Sequence, residues 1–184
     1  MISGTGAMYE NRVSAGMSVP PVTGESSLMY FIDRLEKAHA APFDEHILLV
    51  HECCMTEEGT EAVKKVMNHP YVALCPCSNI FIHNALPPVD MIRRSGIKIT
   101  VGTDSLSSND DLDMVRELFC LQENFPQVPL GEMIFWATAN GADFLGKGDV
   151  YGKMLPGMKP GLVFIDHLSE NGYLTTASVS QRII

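Results

Sequence analysis

Positive charge is scarce in this 184-residue chain: 13 Lys and Arg stand against 22 Asp and Glu, a formal net charge of −9. That balance argues against nucleic acid or an anionic membrane as a partner. A long hydrophobic run is missing too. No stretch of about 18 apolar residues occurs, so no helix is expected to span a bilayer. The opening MISGTGAMYENR lacks a basic region followed by an apolar stretch and does not read as a signal peptide. Cysteine is sparse and odd in number: Cys53, Cys54, Cys75, Cys77 and Cys120. An odd, clustered set in a chain of this size reads as reduced thiols, which places the protein in the cytoplasm. No low-complexity linker divides the chain. What remains is 46% hydrophobic and 19% charged, enough for one core of ordinary globular type.

The first 24 residues show no convincing period and read as a loop. From Glu25 to His39, Leu28, Phe31, Ile32 and Leu35 lie on one helical stripe. A unit then repeats. HILLVHE (46–52) has strand length, and Thr56 caps a helix whose first turn holds Glu57 and Glu58, where the helix dipole favours acids. YVALCP (71–76) is the next strand, and a loop leads to a helix over 87–96 that stops at Gly96. IKITVG (97–102) is the third strand, followed by a helix over 111–125. A helix over 130–145, a turn-rich stretch, the strand LVFID (162–166) and a polar tail complete the chain. The strands begin near 46, 71 and 97, about 25 residues apart, with helices between, the pattern of parallel strands joined by helical crossovers.

The ends of those strands carry the chemistry. The first ends at His51, the second at Cys75-Pro76-Cys77-Ser78-Asn79, the third at Asp104-Ser105. In parallel α/β sheets the C-terminal edge is where ligands bind.

In order, LLVHE, LCPCSN, ITVGTDSLSSNDDLDM, ATANGADFLG and PGMKPGLVFID resemble the amidohydrolase superfamily. They are most similar to its aminohydrolase/chlorohydrolase branch of deaminases. The resemblance covers roughly residues 20–184. It implies a partial (β/α)8 barrel, with residues 1–150 as its C-terminal portion and 151–184 as a return segment toward a small β domain. It also implies metal-assisted hydrolysis of a nucleobase-like ring and a divalent metal, zinc or iron, in the complete enzyme. Asp104 matches the family's metal ligand and proton acceptor. His51 matches the sixth-strand His that hydrogen-bonds the attacking water. Ser78 and Asn79 match a turn that fixes its own loop or touches substrate. Thr103 and Ser105 flank the aspartate and are expected to hold its carboxylate. Glu52 belongs on the opposite strand face, and His46, His69, His83 and His167 match no role.

Two of the family's features are absent: no H-x-H occurs, and no fifth-strand His with a Glu three residues on. A full barrel of this kind needs eight strands and roughly 250 residues. The chain is therefore expected to be the C-terminal half of a longer enzyme, inactive alone, with the metal belonging to the complete enzyme and not necessarily held by this chain. The alternative is a non-catalytic module that associates with other copies through open sheet edges. A small-molecule substrate and a homo-oligomer are the expected partners. A thiolate zinc site among Cys53, Cys54, Cys75 and Cys77 is a rival, though their spacings differ from the usual C-x(2–4)-C pairs.

Overall fold

The computed structural model describes residues 2–39 and 41–184. It falls into two compact units: the chain up to Glu45 together with Thr56–Asn68, and His46–Met55 together with His69–Ile184.

The first unit carries three helices. α1 (Ala7–Ser14) lies in the stretch expected to be a loop. It buries no residue, so its helix-forming Ala, Met, Glu and Arg leave no apolar period for a sequence pattern to detect. α2 (Ser27–Lys37) starts where Ser26 accepts a hydrogen bond from the Met29 amide, and buries Leu28 and Ile32 one turn apart. α3 (Glu57–Val66) is capped by Thr56 as expected. Acids occupy its first turn and Lys64 and Lys65 its last, matching the helix dipole. Thr60, Val63 and Val66 are buried.

Three strands form one sheet in the order β1 (Phe43–Val50), β2 (Met67–Leu74), β3 (Lys98–Val101). β1 and β2 begin and end earlier than the sequence pattern suggests, which leaves His51 and Cys75 just beyond the ladder. β2 and β3 are parallel, with Tyr71 opposite Lys98 and Leu74 opposite Val101. Tyr71, Val72, Ala73 and Leu74 are all buried, as expected of a strand covered on both faces. Two bonds carry the ladder to the strand tips. The His51 amide donates to Ala73 O at 3.0 Å, and the Gly102 amide to Leu74 O at 2.9 Å.

The second unit also holds α4 (Pro76–His83), α5 (Val89–Ser95) and α6 (Met114–Asn124). α4 replaces the expected loop. Pro76 sits at its first position, where the missing N–H costs nothing, and Asn84 closes it in the left-handed region at φ 48°. α5 stops at Gly96 (φ 79°). α6 begins at Met114, later than the expected 111, because Asp113 caps it by accepting from the Val115 amide. The segment expected as one regular helix is α7 (Leu130–Phe135), a π turn over Trp136–Asn140, and α8 (Gly141–Phe144). Asn140 Nδ2 donates from that turn to Ile99 O of β3 at 2.8 Å. The polar tail is not structureless either. β5 (Val179–Arg182) pairs antiparallel with β4 (Val163–Asp166).

Where β3 begins, Lys98 Nζ donates to Asp143 at 2.5 Å, and its partner Tyr71, midway along β2, donates Oη to the same carboxylate oxygen at 2.8 Å. The His46 ring packs on Tyr71, centroids 5.2 Å apart, and its Nδ1 lies 2.9 Å from Phe144 O. His46 is thus a packing residue at the end of the sheet opposite His51.

Candidate active site

The strand tips converge. His51 follows β1, Ser78 and Asn79 sit in the first turns of α4, and Asp104 follows β3. His51 Nε2 lies 3.8 Å from Asp104 Oδ2. His51 Nδ1 is 2.7 Å from Asn79 Oδ1. The Nδ1 side of the ring is thus taken up by Asn79, and Nε2 is the ring atom turned toward Asp104. Ser78 Oγ donates to Asp104 Oδ2 at 2.8 Å and Ser108 Oγ to the same atom at 2.7 Å. Those hydroxyls, Ser108 first and Ser78 second, hold the Asp104 carboxyl below the usual carboxylate range. It stays ionised at neutral pH.

The backbone here is unusual. His51 (φ 72°), Glu52 (φ 51°) and Asp104 (φ 59°) all adopt the left-handed region without being glycine. Such conformations cost on the order of 1 kcal/mol each and cluster where function requires a set geometry. Because His51 and Glu52 have both left the strand, the two-residue alternation that would set Glu52 on the opposite face no longer governs them. Burial pushes the Glu52 carboxyl up, against the opposing pull of His51.

Thr103 and Ser105 do not hold the carboxylate with their side chains. Thr103 Oγ1 donates to the Asp104 backbone carbonyl at 3.3 Å, and Ser105 Oγ shares a hydrogen bond with Ser107 Oγ at 2.7 Å. Geometry decides the exchange. The hydroxyls that face Oδ2 come from the next turn (Ser108) and from the neighbouring strand tip (Ser78). Asn109 and Glu117 were also missed. Asn109 Nδ2 donates to Thr103 O at 2.8 Å and to Glu117 Oε1 at 2.6 Å, and Glu117 Oε2 accepts from the Cys77 amide at 2.9 Å. Burial raises the Glu117 carboxyl, partly offset by those donors.

Cys53 and Cys77, two members of the rival thiolate set, have different hydrogen-bond partners. Cys53 Sγ donates to Ala85 O at 3.9 Å and Cys77 Sγ to Arg116 O at 3.7 Å. The buried Cys75 thiol is pushed up to about 12, by desolvation first and then by the Asp104 charge. Among the described residues no group of three or more His, Cys, Asp or Glu side chains is placed to hold a metal ion. The open cleft of about 750 Å³ in the C-terminal segment, lined by Tyr151, Met154, Lys159 and Arg182 among others, contains none of the site residues.

A 5-methylthioadenosine/S-adenosylhomocysteine deaminase from Desulfitobacterium hafniense is 32% identical over 130 residues, covering 67% of this chain and 30% of the relative. A 5′-deoxyadenosine deaminase from Methanobrevibacter smithii is 26% identical over 168 residues, 83% of this chain and 38% of the relative. The chain thus spans about a third of the length of these curated relatives. Among solved structures, a zinc-bound adenosine deaminase from Xanthomonas campestris superposes with a TM-score of 0.62 at 26% identity, over 73% of this chain and 31% of that one. Helicobacter pylori aminofutalosine deaminase in complex with methylthio-coformycin gives 0.66 at 20% identity, over 87% and 38%. The sheet and its covering helices are accordingly part of a (β/α)8 barrel of amidohydrolase type. The amidohydrolase family profile matches residues 22–182, and the chain belongs to that family.

Proposed function

We propose that this chain carries the sixth- to eighth-strand portion of a metal-dependent hydrolytic deaminase acting on an adenine nucleoside. One observation carries the reading: an ionised Asp104 and the Nε2 atom of His51 face each other at 3.8 Å on strained strand tips, each side chain held by its own hydrogen-bond partners. The relatives' names supply the substrate class.

The donors suit a divalent cation such as zinc or iron in kind, a hard carboxylate and an imidazole. In number they fall short. A catalytic zinc takes about three protein ligands, and among the described residues no third His, Cys, Asp or Glu joins this pair. Asp104 is the ligand this chain would offer. When bound, the metal lowers the pKa of a water molecule toward ~7. Asp104 accepts a proton from the attacking water, and His51 Nε2 hydrogen-bonds that water and steadies the charge that develops on it. The water oxygen adds to the amino-bearing ring carbon, the C–N bond breaks, and the nitrogen leaves as ammonia once protonated. The acid that protonates it and the other metal ligands lie in polypeptide outside this sequence, so the chain alone is inactive. All five cysteines are free thiols, which fits a cytoplasmic setting. No helix of the described residues is long and apolar enough to cross a membrane. We also assign the outer edge of the sheet a role in self-association.

The test is ammonia release from 5′-methylthioadenosine or S-adenosylhomocysteine with zinc present. The chain alone should release none. A fusion to the preceding segment of a relative carrying H-x-H and H-x-x-E should take up one zinc and turn over, and Asp104→Asn in that fusion should lower kcat by about 10³-fold or more. A fusion that folds and holds zinc yet deaminates no adenine nucleoside overturns the reading and leaves a non-catalytic module.

A further inference from the structure

Glu117 is 1% exposed, on a helix that neither strand tip belongs to. A buried carboxylate is costly unless its oxygens are satisfied, and a leucine would fill the same position without that cost. Both oxygens of Glu117 are in fact used. Oε2 takes the Cys77 amide at 2.9 Å, immediately before Ser78. Oε1 takes Asn109 Nδ2 at 2.6 Å, and the same amide group donates to Thr103 O at 2.8 Å, immediately before Asp104. Ser78 and Asp104 then meet through their own bond of 2.8 Å. The contacts close into a ring: Glu117, Cys77, Ser78, Asp104, Thr103, Asn109 and back to Glu117. The Cys77 amide is among the first N–H groups of α4, which have no partner within the helix and favour a negative acceptor.

We propose that Glu117 is a positioning residue, a buried clamp on α6 that fixes the turn after β2 against the loop after β3 and so sets the Ser78–Asp104 contact. Its importance for catalysis rests on the reading of Asp104 as the reactive carboxylate, but the clamp itself can be tested without activity. An apolar side chain of equal size would fill the core and lose the registration of the two tips. Glutamine keeps the shape, retains one acceptor and turns a donor toward the other donor.

The experiment is amide hydrogen exchange by NMR on the isotope-labelled chain and on its Glu117→Gln and Glu117→Leu variants. In the unsubstituted protein the Asn109 side-chain protons should form a resolved, slowly exchanging pair. A fast, averaged pair would overturn the proposal before any substitution is made. In Glu117→Gln the Asn79 and Ser108 amides, bonded to Cys75 O at 2.8 Å and Ser105 O at 3.0 Å, should exchange faster by about tenfold or more. The β2–β3 ladder should keep its protection, and Glu117→Leu should loosen the same two sites further. Faster exchange spread evenly over the ladder would mean Glu117 only packs the core. Unchanged exchange at both tips would mean there is no clamp. If the exchange data support the clamp while the zinc-loaded fusion stays inactive, the functional reading fails and the clamp stands.

Discussion

Asp104 combines an unfavourable backbone with a carboxylate oxygen that accepts two hydroxyls and faces an imidazole. Its substitutions should separate strain from chemistry. Asparagine tolerates the left-handed region and can still accept from Ser78 and Ser108, so Asp104→Asn should change stability by less than about 1 kcal/mol. Valine is β-branched and accepts nothing, so Asp104→Val should cost about 2–4 kcal/mol in urea unfolding. Equal costs for the two would show that this backbone is not strained. That Asp104 and His51 would share one strand-end edge was legible in the sequence through the family motifs around them, and the structure brings the two side chains to 3.8 Å. Glu117 was not legible. In MVRELFCLQEN a glutamate among Val115, Leu118 and Leu121 reads as solvent-facing, and only the fold brings the Cys77 amide and Asn109 to it. Ser108 was hidden for a related reason: Ser105, Ser107 and Ser108 are equivalent in composition, and the turn of the loop decides which hydroxyl reaches Oδ2.

Among the elements, those with apolar period or capping residues were readable and those defined by position were not. CPCSN reads as a turn, yet Pro76 starts α4 and buries Ser78 and Asn79 on it. WATAN gives no sign of a π turn, because the wider turn follows from fitting Trp136, Ala139 and Asn140 against β3. The ion cluster that ties α8 to Tyr71 of β2 and Lys98 of β3 makes a pH prediction with two signs. Lys98 first, and Tyr71 second, hold the Asp143 carboxyl below its ordinary value, so its contribution is full above about pH 4 and is lost as pH falls through the lowered value. Asp143 holds Lys98 above its ordinary value, so that contribution is full below about pH 10 and is lost as pH rises through the raised value. The thermal midpoint of the chain minus that of Lys98→Met should be flat near neutrality and shrink at both extremes. Both side chains are about half exposed, so salt should reduce the difference as well. A difference that grows from pH 7 to pH 3 would refute the assignment.

For the whole molecule, the question is what an incomplete barrel does with its surfaces. Among the described residues β1 and β3 are the outer strands of the sheet, and the π turn supplies a donor to one carbonyl of β3. β1 is the other outer strand, and the outer edge of a sheet can offer N–H and C=O groups to another chain. Apolar surface adds to the tendency: Ile80, Phe81 and Ile82 follow one another in the exposed part of α4, with Phe81 62% exposed. Opposing both is a net charge of −9, which makes two copies repel. The balance depends on salt with a definite sign. If association uses strand edges and apolar surface, screening removes the repulsion and the assembly should tighten as ionic strength rises from about 0.05 to 0.5 M, where the Debye length falls below about 5 Å. Light scattering should then give a mass above the 20.2 kDa of one chain, increasing with salt, and Phe81→Lys should reduce it only if α4 lies in the contact. Ion-paired association would weaken over the same range, because screening acts on attraction as it does on repulsion. A mass of one chain at every salt concentration would mean that self-association has to be abandoned.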